Sequence, residues 1–479
     1  MGKGFALVVV LVFLTAFFLT LPLPVKAQSK TIVVPDDYLT IAEAIKKAGD
    51  GDTIFIRDGN YDGPINQTLV IDKTISIIGE DAAKTVITFY PAWVTYILFT
   101  ADLSYYANSL EINANNVKIS DLTINTLLLG DHPKHNRNQD ICINGDNSEI
   151  SRNLLSTDVV ITGSYNRFFE NNSTKKLTLS GYLDDGNVEW CTYNRVYENN
   201  IVNSSIESSS GSYNTIYSNT VSIGGIEVGG MSEYVLVYGN TIINGPASVS
   251  NGLSGNGIGV SSTKNTVACN TIINCSNGVS LYRGNNNTVV GNLIMNCTEA
   301  GLRRVEGTNC EIYANYVTNC FVGVTAGTNY GSGNNFLYDN NFVNNVQQSY
   351  LDATTSDWWD DGKQGNYWSD YSGKDLNGDG IGDTPYELAG KGNGSDRYPL
   401  MKPFDVLTES VPLSDWAVNL PKVTIEIPAT PETTPTSASP NEPFPTVPVA
   451  TVSVASGVAM AVIGLLVFYS KRHREAART

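Results

Sequence analysis

One short pattern constrains this chain more than any other feature. An aliphatic residue stands three places before an asparagine and a second aliphatic stands two places after it. The copies read "YNRVYENNIVN", "YNTIYSNTVSI", "EYVLVYGNTIIN", "KNTVACNTIIN", "NNTVVGNLIMN", "NCEIYANYVTN" and "NNFLYDNNFVN". Aligned on Asn199, Asn219, Asn240, Asn270, Asn292, Asn315 and Asn340, they recur at intervals of 20, 21, 30, 22, 23 and 25 residues. An earlier copy begins around Phe168, Phe169 and Asn171, and "VKISDLTI" at Val117 is a variant with Leu122 in the asparagine place.

The apolar pieces are too short for helices and are bounded by Gly, Asn and Ser, so they read as short strands. A unit of about two dozen residues cannot bury its own apolar face, whereas stacked units bury a continuous core. The expected architecture is all-β, a parallel β-helix solenoid whose coils rise by about 4.8 Å. Equivalent residues then stack in columns. The fourth residue after the reference position is again asparagine at Asn203, Asn244, Asn274, Asn296, Asn319 and Asn344, and this column is the expected amide ladder. Beside it stand Cys275, Cys297 and Cys320, expected as buried thiols although stacked neighbours lie within disulfide reach. The glycosylation sequons at Asn203, Asn274 and Asn296 would fall inside that ladder, which leaves Asn66, Asn286 and Asn393 as exposed acceptors. A short helix opening at Thr40, with Glu43 in the capping-box position and Ile41, Ala44 and Ile45 on one face, is expected to cover the first coil.

Both chain ends carry targeting signals. Residues 1–27 read as a secretory signal peptide. Val449 to Tyr469 is 21 residues without a charge, followed at once by Lys471, Arg472 and Arg474. As a helix it spans about 31 Å, matching a bilayer core, and the basic residues keep the tail inside. The expected layout is a β-helix with its N-terminal cap over 28–352, a C-terminal cap over 353–405, and a Pro/Thr/Ser-rich stalk over 406–448. A transmembrane helix at 449–469 and a cytoplasmic tail at 470–479 complete it, so the expected location is the cell membrane, single-pass, with the N-terminal domain outside. A net charge of −17 argues against nucleic acid as a partner.

"KDLNGDGIGDTPYEL" has calcium-loop spacing. Asp375, Asn377, Asp379 and Asp383 occupy positions 1, 3, 5 and 9, the Ile381 carbonyl position 7, and Gly380 the bend. The run resembles the loops of dockerins and thrombospondin type 3 repeats. Tyr386 replaces the usual acid at position 12, so Glu387, Asp370 or Asp396 is needed to complete the shell. Structural Ca2+ is the expected cofactor, with Trp358, Trp359, Tyr367, Trp368 and Tyr371 covering the last coil. His132 and His135 form an alternative metal pair.

Strand alternation turns Tyr197, Tyr217, Tyr238, Tyr313 and Tyr338 away from the core. They form either an open stripe for stacking on sugar rings or a self-stacking ladder hidden under loops. Ala268 and Val290 interrupt the stripe. The acids Asp184, Asp185 and Glu189 lie about five coils from Arg303 and Arg304, too far for one active centre, and catalytic residues are left unassigned.

"TIVVPDDYLTIAEAIKKAGDGDTIFI", "KTISIIGED", the N-x-I-x-x-N copies and "GNYWSDYSGKDLNGDGIGDTPYEL…DRYPLMKPF" together resemble the NosD-type, or CASH, right-handed β-helix family with its pectin-lyase-like fold, over roughly residues 30–404. The signal, stalk and anchor resemble archaeal cell-surface members. The resemblance implies a link to copper delivery for nitrous oxide reductase and to sugar-active enzymes. The expected function is membrane-anchored extracellular binding of polysaccharide or surface glycan. A structural or adhesive rod with protein partners is one alternative, and a polysaccharide lyase, glycoside hydrolase or copper-handling protein is the other.

Overall fold

A computed structural model of the chain describes residues 28–98, 101–127, 141–184, 187–245, 255–327, 333–406 and 420–421. The expected signal peptide, transmembrane span, cytoplasmic tail and His132–His135 pair lie outside these residues. Among the described residues no helix is long and apolar enough to cross a membrane.

Three long parallel sheets of 13, 13 and 12 strands run the length of the rod. Each coil contributes one strand to each sheet, so every strand pairs with its counterparts one coil before and one after. In the first sheet Val196, Ile216, Val237, Val267, Val289, Ile312 and Leu337 are register partners and face inward. In the second, Ile201, Val221, Ile242, Ile272, Ile294 and Val317 do the same. The third carries Ile206, Ile226, Ile258, Val279 and Leu302. The aliphatic positions of the repeat are therefore one continuous core, whose burial supplies the main driving force for the fold.

Two asparagine columns exist: the expected outer one passes amide bonds from Asn274 to Asn244 and from Asn296 to Asn274, each 3.2 Å, and an inner one carries a longer ladder. The reference asparagines, not those four places later, are buried. Each accepts at its Oδ1 from the backbone N–H and the Nδ2 of the preceding coil's asparagine, as in Asn219 to Asn240 (3.0 and 2.9 Å) and Asn240 to Asn270 (2.9 and 3.0 Å). Each Nδ2 also donates to a strand carbonyl, Asn240 to Ile216 at 2.8 Å. The outer column is exposed at Asn203, Asn274 and Asn296, so the sequons there are not enclosed. Its residues hold left-handed backbone, with φ of 56° at Asn203 and 57° at Asn274, a conformation asparagine adopts readily. Their function is to turn the corner between the second and third sheets. Cys275, Cys297 and Cys320 are buried free thiols.

Both ends of the stack are closed. The helix Ile41–Lys47 begins at Thr40, whose hydroxyl accepts from the Glu43 N–H at 3.2 Å, and buries Ile41, Ala44 and Ile45. Lys73 satisfies its C-terminus by donating to the carbonyls of Ile45, Lys46 and Ala48. At the far end Trp368 lies between Phe342 and Tyr386, with both ring separations 4.5 Å. The Asp396 carboxylate ends the asparagine ladder, accepting from the Asn366 N–H at 2.6 Å and from Trp368 Nε1 at 2.8 Å. Trp359 and Trp368 are buried as the capping role requires, whereas Trp358, 46% exposed, stacks on Phe336 of the last coil at 6.4 Å.

Candidate functional site

The tyrosine stripe is not an open platform. Tyr217, Tyr238 and Tyr313 are buried, and with Ala268 and Val290 they form an apolar cluster closed by Val406, Phe404 and Leu420. Tyr238 Oη donates to the Pro421 carbonyl at 3.1 Å, so part of the region expected to be stalk lies on the coils. The rings stack on one another: Tyr197 on Tyr217 at 4.9 Å and Tyr313 on Tyr338 at 5.2 Å. Burial pushes the Tyr217 phenol up to about 12. The faces that a sugar would need are occupied by the chain itself.

The acidic loop is exposed and self-bonded. Asp375 accepts from the Gly378 and Gly380 N–H groups (2.6 and 2.8 Å), Asn377 from Asp379 N–H, Asp379 from Ile381 N–H, and Asp383 from Leu376 N–H. Gly378 and Gly380 supply the left-handed bends, with φ of 79° and 88°. These oxygen donors suit Ca2+ in kind and spacing, but among the described residues no three acidic, His or Cys side chains converge. Glu387 is exposed on a two-residue strand paired with Ser395–Asp396. Asp396 is committed to the buried ladder end, where burial raises its pKa to about 6, so it does not complete a calcium shell.

A recess lies elsewhere among the described residues, on the outer face of the third sheet. Glu207 and Glu227 occupy equivalent outward positions on adjacent coils, followed in register by Gly259 and then Ser280. They line a cleft of about 660 Å³ with Asn203, Ser205, Asn256 and Tyr282. Gly259 keeps the floor open: a Cβ there would sit 1.9 Å from Glu227 Oε2. Glu207 is ion-paired with Lys176 of the preceding coil. Among the described residues no cation pairs with Glu227, and loss of hydration raises its pKa to about 8 despite a hydrogen bond from Asn256, with the Glu207 charge adding to the rise. Glu227 is therefore protonated at neutral pH, beside a Glu207 held by Lys176.

The cleft continues through Gly230 and Ser261 into a second recess of about 490 Å³, which includes Trp190, Met231 and Glu233. Trp190 is 43% exposed and Met231 50%. Beyond it, at the corner that leads into the first sheet, Tyr165, Tyr193, Tyr213 and Tyr234 stack at 5.1, 5.1 and 4.9 Å. All four hold left-handed backbone, with φ between 56° and 60°. Asn147 precedes them in this column, and Asn286, Asn309 and Asn334 follow Lys264, so four consecutive coils place a bulky ring where asparagine fits with less strain.

Neither feature stood out in the sequence, because alignment on the asparagine draws attention to the first two strands of each coil. The usable signal was Ile206-Glu207 and Ile226-Glu227, separated by the same 20 residues as Asn199 and Asn219. The side chains of Asp184 and Glu189 lie outside the described set, as does residue 185, and Arg303 is paired with Glu299 at 2.5 Å.

Residues 247–373 match the family model described as periplasmic copper-binding protein (NosD). The β-helix therefore includes a NosD-type segment. The chain is 52% identical over 58 residues to a probable ABC transporter binding protein NosD of Stutzerimonas stutzeri and 47% identical over 58 residues to that of Pseudomonas aeruginosa. Each alignment takes in 12% of this chain and 13% of the relative, so only a small part of those proteins is shared. Among solved structures, a PL6 alginate lyase complexed with trisaccharide aligns at a TM-score of 0.43 and 12% identity, over 71% of this chain and 85% of that one. A GH87 α-1,3-glucanase catalytic domain aligns at 0.45 and 13%, over 67% and 69%. The NosD match begins after Glu207 and Glu227 but takes in Asn256, Gly259, Ser261, Ser280 and Tyr282 on the other part of the cleft.

Proposed function

We propose that this NosD-type protein binds an extended, neutral polysaccharide along the trench on the outer face of its third sheet. The observation that carries the reading is the continuity of the Glu207–Glu227 cleft with the recess at Trp190. Serine hydroxyls, asparagine amides and carboxyls suit the dense hydroxyl groups of a sugar chain, and the half-exposed indole offers a ring face for stacking. A chain of net charge −17 repels uronic-acid polymers, which favours an uncharged ligand.

The test is retention of purified protein on laminarin, galactomannan and mixed-linkage β-glucan, with alginate and polygalacturonate as charged comparators. Trp190→Ala should weaken retention on the neutral polymer at least tenfold. Equal retention by the variant, or preference for the charged polymers, overturns the reading. Retention on none of them leaves the adhesive rod as the better account.

In this proposal residues 449–469 hold the protein in the cell membrane with the β-helix outside, and Ca2+ draws Asp375, Asn377, Asp379, the Ile381 carbonyl, Asp383 and Glu387 into one shell. A chelator should then lower the melting temperature. An unchanged melt with no calcium by elemental analysis removes the ion from the account.

A further inference from the structure

We infer that Ile223 sets the specificity of the trench, selecting a polymer whose sugars carry acetamido groups, an inference that rests on the binding reading above. At the corner between the second and third sheets one position repeats from coil to coil as Asn203, Ile223, Asn244, Asn274, Asn296, Asn319 and Asn344. All seven residues hold left-handed backbone, with φ between 52° and 58°. Asparagine reaches that region at little cost, whereas the branched Cβ of isoleucine crowds its own backbone there. No other described residue with positive φ is β-branched.

The corner cannot shift to relieve the crowding. Gly224 and Gly225 follow, and a Cβ on them would sit 1.6 Å from the Ser204 carbonyl oxygen and 2.5 Å from that of Asn256, so the chain is pressed against both neighbouring coils. The core does not need the isoleucine either, since Ile223 is 54% exposed. It interrupts the outer asparagine column on the coil that carries Glu227, and it lines the cleft with Asn203, Ser205, Glu227 and Asn256. A local rule broken at the wall of a recess, with no gain to packing, points to a ligand contact.

The chemistry around Ile223 specifies that contact. An aliphatic side chain gains from a methyl group and gains nothing from a sugar hydroxyl. The side chains beside it are amides, a hydroxyl and a carboxyl, so the methyl must belong to a substituent that also donates and accepts hydrogen bonds. An acetamido group meets both conditions. Its methyl covers Ile223, while its N–H and carbonyl each find a partner in an asparagine amide, which offers both a donor and an acceptor. The group is uncharged, in keeping with a neutral polymer.

The experiment is calorimetric titration with chitohexaose and cellohexaose, which share linkage and backbone and differ in bearing acetamido or hydroxyl at the second carbon. Wild type should bind chitohexaose about tenfold more tightly. Ile223→Asn, which restores the residue of the other coils, should bind the two equally and melt about 1–2 °C higher as the strain is relieved. Ile223→Val keeps methyl groups at the site and should keep most of the preference. Equal binding by wild type, or a full preference in Ile223→Asn, overturns the inference. A lower melting temperature for Ile223→Asn also overturns it, by showing that the isoleucine serves the fold. Binding of neither hexaose by a protein that is retained on laminarin, galactomannan or β-glucan overturns the acetamido selection and leaves the trench standing. Binding of neither hexaose and retention on no polymer overturns both readings together.

Discussion

The rod has a closed side and an open side, and each is marked by a row of stacked tyrosines about 5 Å apart. On the closed side Tyr197, Tyr217 and Tyr238 lie in relaxed strand backbone beneath Phe404, Val406 and Leu420. On the open side Tyr165, Tyr193, Tyr213 and Tyr234 sit in strained corner backbone, and Tyr165 remains 54% exposed. Coil spacing alone explains why rings stack in both rows. It does not explain exposure, which depends on whether a distant segment returns to cover the row. The covered row stabilises the fold, and the exposed row borders the trench.

The contrast is sharpest in stability. Tyr238→Ala should lower unfolding free energy by about 3 kcal/mol, since a buried ring and its bond to Pro421 are lost together. Urea titration reads this, and polysaccharide retention should stay unchanged. If that variant instead loses retention at full stability, the two sides have been assigned the wrong way round.

An effect of comparable size belongs to the open side, but only at high pH. The folded chain binds the Glu227 proton up to about pH 8, whereas the ordinary value is 4.5. The folded state therefore holds more protons between those values, and wild-type stability declines as pH rises through that window. Glu227→Gln escapes the decline. Its melting temperature should match wild type at pH 4 and exceed it by several degrees at pH 9. A constant difference at all pH values would remove the claim that Glu227 is held neutral.

Smallest of all is Tyr213→Asn. Loss of stacking, about 0.5–1.5 kcal/mol, is offset by relief of about 1 kcal/mol or more of left-handed strain. Stability should shift by about 0.5 kcal/mol or less, measured in the same urea titration. A loss as large as that of Tyr238→Ala would show that the open row is structural too.

Much of this was legible in the repeat. The aliphatic positions around each asparagine named the inner faces of two sheets, because a fixed period places Ile216 under Val237 and Val221 under Ile242. Thr40 and Glu43 located the capping helix by local chemistry. The expected outer ladder links Asn244, Asn274 and Asn296, but the longer inner one stayed hidden because both columns are asparagine-rich. The inner column is buried and also caps strand carbonyls, whereas the outer one is exposed and also uses asparagine's tolerance of left-handed backbone, a distinction that composition does not carry. The cover over Tyr238 was invisible for another reason. Its hydrogen-bond partner lies 183 residues away, and no periodic signal links the two. Glu207 and Glu227 fall on the third strand, outside the motif that set the alignment.

The inner ladder also makes the rod's length a free variable. Every rung offers the same acceptor to the turn before it and the same donor to the turn after it, so a whole turn can be excised and the cut edges rejoin like with like. Deleting residues 271–292 would bring Leu293 to the place of Thr271 and Asn315 to that of Asn292, giving a shorter solenoid with both lids and the paired glutamates intact.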